Sequence, residues 1–271
     1  VYITFRVLDF ADMTVEGSFP LGAAICVYFL IRDHHPLLAL LAAGLLGGVA
    51  GIVTGLLHTK LRIPSLLAGI LSMIALYSVN LRIMGKANVS LLGKETAFTY
   101  METLGLDYAQ SVFIVGLLAT VVIGTLIYWF FGTEIGAAIR ATGFNPQMIR
   151  AQGIDTNVML LLGLFLSNAL TAMAGAFIGM NNGFFDVGMG VGTIVIGLAS
   201  VIIGEVLFGT RSFKNSLVSV ILGSIVYRFL IAIVLQMGMP PNDLKLFTSV
   251  LVVIALALPM MRDKVQRRKV G

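Results

Sequence analysis

The sequence predicts an all-α fold, a polytopic transmembrane helical bundle of about nine segments with the first truncated. Two observations carry this. Of the 271 residues, 58% are hydrophobic and 11% charged, where a water-soluble domain would hold roughly 25% charged residues, and the mean hydropathy is +0.98. The apolar residues also gather into runs near the ~20 residues that one helical crossing needs. A bilayer is therefore the expected solvent, and residues 1–271 read as a single transmembrane domain.

The segments follow in order. Val1-Tyr-Ile-Thr-Phe5 reads as the end of an apolar helix near 1–8, as though an initiator methionine and most of a first span preceded it. Further runs occupy 19–31, 36–57, 63–81, 108–131, 157–180, 189–208, 215–237 and 244–261. The run at 19–31 is short for a crossing and suits a broken or tilted helix. Its flank, Asp9-Phe-Ala-Asp-Met-Thr-Val-Glu-Gly17, is polar enough to need water or buried partners. The stretch 82–107, carrying Glu95, Glu102 and Asp107, is the longest connector, either a plain solvated loop or the seat of a short amphipathic helix. Small residues let helix backbones approach closely in membranes, so Gly47, Gly51 and Gly55, and separately Gly175 and Gly179, predict packing seams.

Orientation follows from lysine and arginine, which are retained on the cytoplasmic side. With the C-terminus inside, the inner loops hold twelve of the 18 basic residues: Arg6, Lys60, Arg62, Arg140, Arg150, Arg211, Lys214, Arg262, Lys264, Arg267, Arg268 and Lys269. The outer loops hold five, Arg32, Arg82, Lys86, Lys94 and Lys245, and Arg228 stays inside a span. This places 132–156 in the cytoplasm and makes 262–271 a basic cytoplasmic tail. A basic tail directly after an apolar span is the retention signal of that rule, so the net charge of +5 needs no nucleic acid, and membrane lipid surrounds the apolar spans.

The residue types argue against catalysis on this chain. His34, His35 and His58 lack metal-ligand spacing, so no metal site is expected. The single cysteine, Cys26, lies in an apolar run with no intrachain disulfide partner. Gly188-Met-Gly-Val-Gly192 lacks the spacing of a dinucleotide fingerprint, and no phosphate-binding loop ending in Gly-Lys-Ser/Thr occurs. Any ATP that drives the protein is hydrolysed elsewhere.

The polar residues set within the spans are the pathway candidates: Asp12, Glu16, Asn80, Asn168 and Arg228. Arg228 sits about 14 Å from the outer end of its span, too deep for full snorkelling, and burying its charge costs about 2.5–3.5 kcal/mol. It either bonds carbonyls or an acid on a neighbouring helix, with Asp186, Asp12 and Glu16 as counter-charges, or it lines the solute path. Glu205, near an inner span end, suits a cap or a pair with Arg211. Asn80, Asn168, Asn181 and Asn182, read as lying at or near span ends, suit helix adhesion or a polar solute.

The loop Glu134-Ile-Gly-Ala-Ala-Ile-Arg-Ala-Thr-Gly-Phe-Asn-Pro-Gln-Met-Ile-Arg-Ala-Gln-Gly-Ile154 reads as two short helices. The first runs from Glu134 to Ala141 and stops at Gly143; Asn145-Pro146 starts the second, which ends at Gly153. Ile139, Phe144, Met148 and Ile149 would be its apolar knobs. Either it is an interfacial connector or it is built to touch another protein.

The run from Ile135 to Pro146, followed by Ala151-Gln-Gly-Ile154, resembles the cytoplasmic loop of permeases in the branched-chain amino acid and ribose group of ATP-binding-cassette importers. Asp9 to Gly17, Leu170-Thr-Ala-Met-Ala-Gly-Ala176 and Pro240-Pro-Asn-Asp-Leu-Lys-Leu246 extend the likeness over most of the chain, the last toward an amino-acid, tryptophan-like subset. The first turn is more acidic than in typical relatives. The resemblance implies a permease subunit that imports a small polar solute, an amino acid first, then a nucleoside or pentose. It implies a second permease subunit, the same chain or a close relative, two cytoplasmic ATPase subunits carrying ATP and Mg, and an external solute-binding protein. It further implies an ATPase-coupling set of Arg140, Ala141, Gly143, Asn145, Ile149, Ala151, Gly153 and Ile154. The competing readings are an ion-coupled secondary transporter or channel using Arg228, Asp12, Glu16 and Glu205, and a membrane scaffold without solute flux.

Overall fold

The computed structural model describes residues 1–91, 93–102, 105, 107–238, 240, 243–244 and 246–253. The chain divides into two compact units, one over residues 3–193 and one from residue 194 onward. The basic tail 262–271, Lys245 and the end of the 244–261 span lie outside the described residues.

The first unit opens with a π-helical turn, Ile3–Val7, and continues through α1 (Val15–Ile31), α2 (Pro36–Thr59), α3 (Ser65–Met84), strand β1 (Asn88–Ser90), α4 (Thr99–Glu102), α5 (Tyr108–Gly132), α6 (Glu134–Phe144), α7 (Pro146–Ala151), α8 (Thr156–Asn182), strand β2 (Phe184–Asp186) and a 3-10 turn, Val187–Gly190. The second unit holds α9 (Thr193–Phe208), α10 (Phe213–Gln236) and helical residues 246–253.

Helix starts lack backbone partners for their first amides, and side chains supply them. The Nδ1 of His35 accepts from the Leu37 amide ahead of α2. Asp155 accepts from the Asn157 amide ahead of α8, and Ser212 from the Asn215 amide ahead of α10. Gly85 and Gly183, both left-handed, close α3 and α8.

Helix α1 is the axis of the first unit. Thirteen of its 17 residues are buried, and α2, α3 and α8 pack around it. It begins at Val15, before the run expected from residue 19, and carries Pro20 inside the helix. Its shortness fits an element enclosed by protein, whose length the lipid does not set. The glycine seams are used as expected. A Cβ on Gly47 would overlap Ala172 and the Asn168 carbonyl, one on Gly51 the Leu164 carbonyl, and one on Gly175 the Phe19 carbonyl. In the second unit, Gly204 and Gly223 let α9 and α10 meet backbone to backbone.

Six stretches are long and apolar enough to cross a membrane: α2, α3, α5, α8, residues Val187–Phe208 and α10, with α1 shorter. The count of about nine is therefore not confirmed among the described residues; the helix end expected near 1–8 is a π-helical turn over residues 3–7. One expectation needs correction. The connector 82–107 is no plain solvated loop. Its β1 pairs antiparallel with β2, Val89 opposite Phe185, and Leu91 and Phe98 join the core beside α1. Lys94 further pins it by a salt bridge to Asp33 at 2.7 Å. This small ribbon is an addition to an otherwise helical fold.

Gly51→Leu should destabilise the protein by at least about 1–3 kcal/mol, because the α2–α8 seam has no room. Gly116→Leu on α5 meets nothing within 4 Å and should leave the detergent melting temperature unchanged. Parallel melts of the two variants check this.

Candidate functional site

The segment between the π-turn and α1 holds a buried carboxylate. Asp12 is 2% exposed. One of its oxygens accepts from the Thr14 amide at 3.0 Å and the other from the Asn168 side-chain amide at 2.8 Å. The Asn168 carbonyl oxygen in turn accepts from Ser18 at 2.6 Å. The hydroxyl of Thr14 meets that of Thr54 on α2 at 2.7 Å, and Thr54 meets Ser72 on α3 at 2.7 Å. Asn80 on α3 donates to the Gly17 carbonyl at 3.1 Å. One polar network thus joins α1, α2, α3 and α8. Unpaired, each of these groups would carry the full desolvation penalty.

Glu16 makes a separate tie. It accepts from the Gly192 amide at 3.0 Å, fixing the turn after β2 to the start of α1. Gly190 is required there, since a Cβ would overlap the Glu16 carbonyl and approach Pro20.

The loop 133–155 is built from the same capping logic. Thr133 caps α6 through the Gly136 amide at 3.3 Å, and Asn145 caps α7 through the Met148 amide at 3.1 Å. Helix α6 runs through Gly143 to Phe144, past the stop expected at Gly143. Gly143 instead serves close approach: a Cβ on it would overlap the Val7 carbonyl and crowd Leu8. Leu8 is held on its other side by Gly163 of α8. From Leu8 the chain turns at Asp9, whose φ is +52°, and reaches Asp12 three residues on. Phe10 is buried edge-on against His58, ring centroids 5.3 Å apart.

This geometry redistributes the expected apolar knobs. Ile139 and Ile149, 0% and 3% exposed, face the protein and anchor the loop, while Phe144 is 95% exposed at the α6–α7 corner and Met148 stays exposed beside it. Of the other loop residues singled out, Arg140, Ala141, Gly143 and Ile154 are half-buried, whereas Asn145, Ala151 and Gly153 are exposed.

Among the pathway candidates, the structure brings Asp12 and Asn168 into one hydrogen bond. Asn168 lies at the middle of α8, not near a span end, and is fully buried. Asp12, Asn168 and Asn80 are therefore internal ties. Arg228 is exposed on α10, and its suggested counter-charges are engaged otherwise, Asp186 with Asn88 and the Gly188 amide. Sequence reasoning missed Thr14, Ser18, Thr54 and Ser72; the available signal was a hydroxyl within the apolar runs for Thr54 and Ser72, and none for Thr14 and Ser18. No group of three or more His, Cys, Asp or Glu residues that could hold a metal occurs among the described residues.

Six stretches long and apolar enough to cross a membrane, α2, α3 and α8 among them tied by a buried polar network, define a multi-pass membrane protein. Residues 1–257 match the family described as branched-chain amino acid transport system / permease component, and the chain belongs to that family. It is the permease subunit of an ATP-driven importer, a transporter component and not an enzyme. A tyrosine transport system permease protein of Clostridioides difficile strain R20291 is 40% identical over 257 residues, covering 95% of this chain and 84% of the relative. An uncharacterised protein of Rickettsia prowazekii is 31% identical, covering 97% and 92%. The fructose import permease protein FrcC of Rhizobium meliloti is 25% identical, covering 94% and 71%. No solved structure matches.

Asp12→Leu should cost about 2–4 kcal/mol, since it strands the Asn168 amide and the Thr14 amide in a dry interior. Asp12→Asn should cost less, because its side-chain oxygen still accepts from the Thr14 amide and only the tie to Asn168 is lost. Urea or thermal unfolding of the two variants in one detergent reads the difference.

Proposed function

We propose that this permease imports an amino acid, paired with a second copy of itself, two cytoplasmic ATPase subunits that bind ATP and Mg, and an external solute-binding protein. The basic residues of the inner loops support a cytoplasmic position for 133–155 and for the C-terminus. The amino-acid assignment draws support from the relative named as a tyrosine permease.

The observation that carries the reading is Phe144, 95% exposed on a loop that Ile139 and Ile149 seal into the protein, with Met148 and Ile135 partly bare on the same loop. Buried aromatic anchors dominate interface energetics, and here one stands ready on a stiff base. Phe144 fills a groove of the ATPase subunit, with Asn145, Ala151 and Gly153 on the same exposed loop. Arg140, Ala141, Gly143 and Ile154 shape the loop from its half-buried side, and Ile149 holds it from within.

Movement of the loop passes through the contact of Gly143 with Val7 and Leu8, along the strap Leu8–Asp12, and into α1 and α8 through Asp12 and Asn168. Closely packed elements shift as units between discrete states. The work comes from ATPase contacts that differ between those states. Asp12 and Glu16 are committed to internal bonds, which weighs against ion coupling.

Co-expression with the partner subunits and native mass spectrometry tests this. Wild type is expected as a particle of two permeases and two ATPases. Phe144→Asp should lower ATPase association at least about tenfold, equivalent to about 1.4 kcal/mol, with the permease still folded. Retention of the ATPase by that variant would overturn the docking role.

A further inference from the structure

Arg228 is an intramembrane cation that the fold of its own unit leaves uncommitted. Eight residues separate it from Gln236, where α10 ends, about 12 Å at 1.5 Å per residue, and fifteen separate it from Phe213, about 22 Å. It is exposed, with no hydrogen bond or ion pair among the described residues. Its neighbour Tyr227 is spent differently: buried and bonded to Thr248 at 3.0 Å. The opposite side of α10 is occupied by the seam of Ser219 and Gly223 against Ser200 and Gly204 of α9.

A guanidinium facing lipid at this depth is costly. Snorkelling can lower that cost only near a helix end. The face must therefore meet either an acid or water. A second copy of the chain offers no free acid at such depth among the described residues. Asp12 is closed off by Thr14 and Asn168, Glu16 is bound to the Gly192 amide, and Glu205 is half-buried and engaged in an interaction of its own. What remains is a mobile anion arriving through a wet path.

We propose that Arg228 is a transient binding site for the carboxylate of the transported solute, a proposal that rests on the amino-acid importer reading. The guanidinium offers two parallel N–H groups that fit a carboxylate. One turn away on either side, Ser224 and Ala232 are small and leave the guanidinium accessible, while exposed Ile225 and Phe229 beside it supply apolar surface for the solute's side chain. The site favours amino acids with apolar or aromatic side chains over neutral sugars, which lack the anion. A lipid phosphate is the other source of a single anion, and it would reach Arg228 from the lipid side.

The test uses the complete importer in proteoliposomes, with tyrosine delivered by its binding protein. Arg228→Gln should lower the maximal uptake rate at least about tenfold (about 1.4 kcal/mol), with assembly and the KM for loaded binding protein unchanged; Arg228→Lys should recover much of it. The thiol of an Arg228→Cys variant should react with a membrane-impermeant methanethiosulfonate reagent, and tyrosine-loaded binding protein should slow that reaction relative to empty binding protein; buried Cys26 supplies a silent background. Uptake by Arg228→Gln at the wild-type rate overturns the proposal. So does an Arg228→Cys variant whose introduced thiol is unreactive, which is the lipid-facing outcome, or reactive without protection by solute. A wild-type importer that assembles but takes up no tyrosine fails the amino-acid reading itself, and is recognised as such before any variant is compared.

Discussion

The hydrogen bond from the Asn168 amide to the Asp12 carboxylate, 2.8 Å long, is made between residues that are 0% and 2% exposed. In such a place a carboxylate is tolerable only when each oxygen has a donor. That requirement sets the arrangement around it. The Thr14 amide must point inward, so α1 begins where it does; Ser18 must face α8; and α2 must approach closely enough for Thr54 to reach Thr14. The glycines at 47, 51, 22 and 175 make that approach sterically possible. Lipid-like side chains alone give no preference for one helix rotation over another, because the bilayer is as apolar as the interior. The polar network supplies the preference.

The same segment faces the other way as well. Leu8, four residues before Asp12, is clasped between Gly143 of the loop and Gly163 of α8. The loop's anchors and its exposed aromatic have separate tasks. Ile139 and Ile149 make it stiff and Phe144 makes it adhesive. Those contacts form a continuous route from an exposed corner to the centre of the first unit. The second unit has its own character: a small-residue seam between α9 and α10, and a charged side chain turned outward from it.

The bundle was legible because hydropathy reports the solvent of each segment directly, and the seams at Gly47, Gly51, Gly55 and Gly175 were legible because close approach leaves a small-residue spacing. The two short loop helices were legible through Glu134, Asn145 and Pro146. Which apolar residue is covered by protein and which is left bare was not. Ile139 and Phe144 look alike in a sequence, and only the packing of α6 against the rest of its unit separates them. For the same reason α1 was read as a weak crossing when it is the buried axis, and Asn168 as an edge residue when it is central. The partners of Asp12 are 156 and 40 residues apart from it or from its neighbour Thr14, so no local spacing could announce them.

The central claim is that Asp12 transmits the loop's movement to the helices, beyond merely holding them together. The most direct measurement is the number of solute molecules moved per ATP hydrolysed by the assembled importer in proteoliposomes, compared between wild type and Asp12→Asn, which keeps the shape of the site and removes its charge. The account predicts an intact particle with near-normal hydrolysis and a clearly lower transport ratio. An unchanged ratio, in a folded and assembled variant, would contradict it.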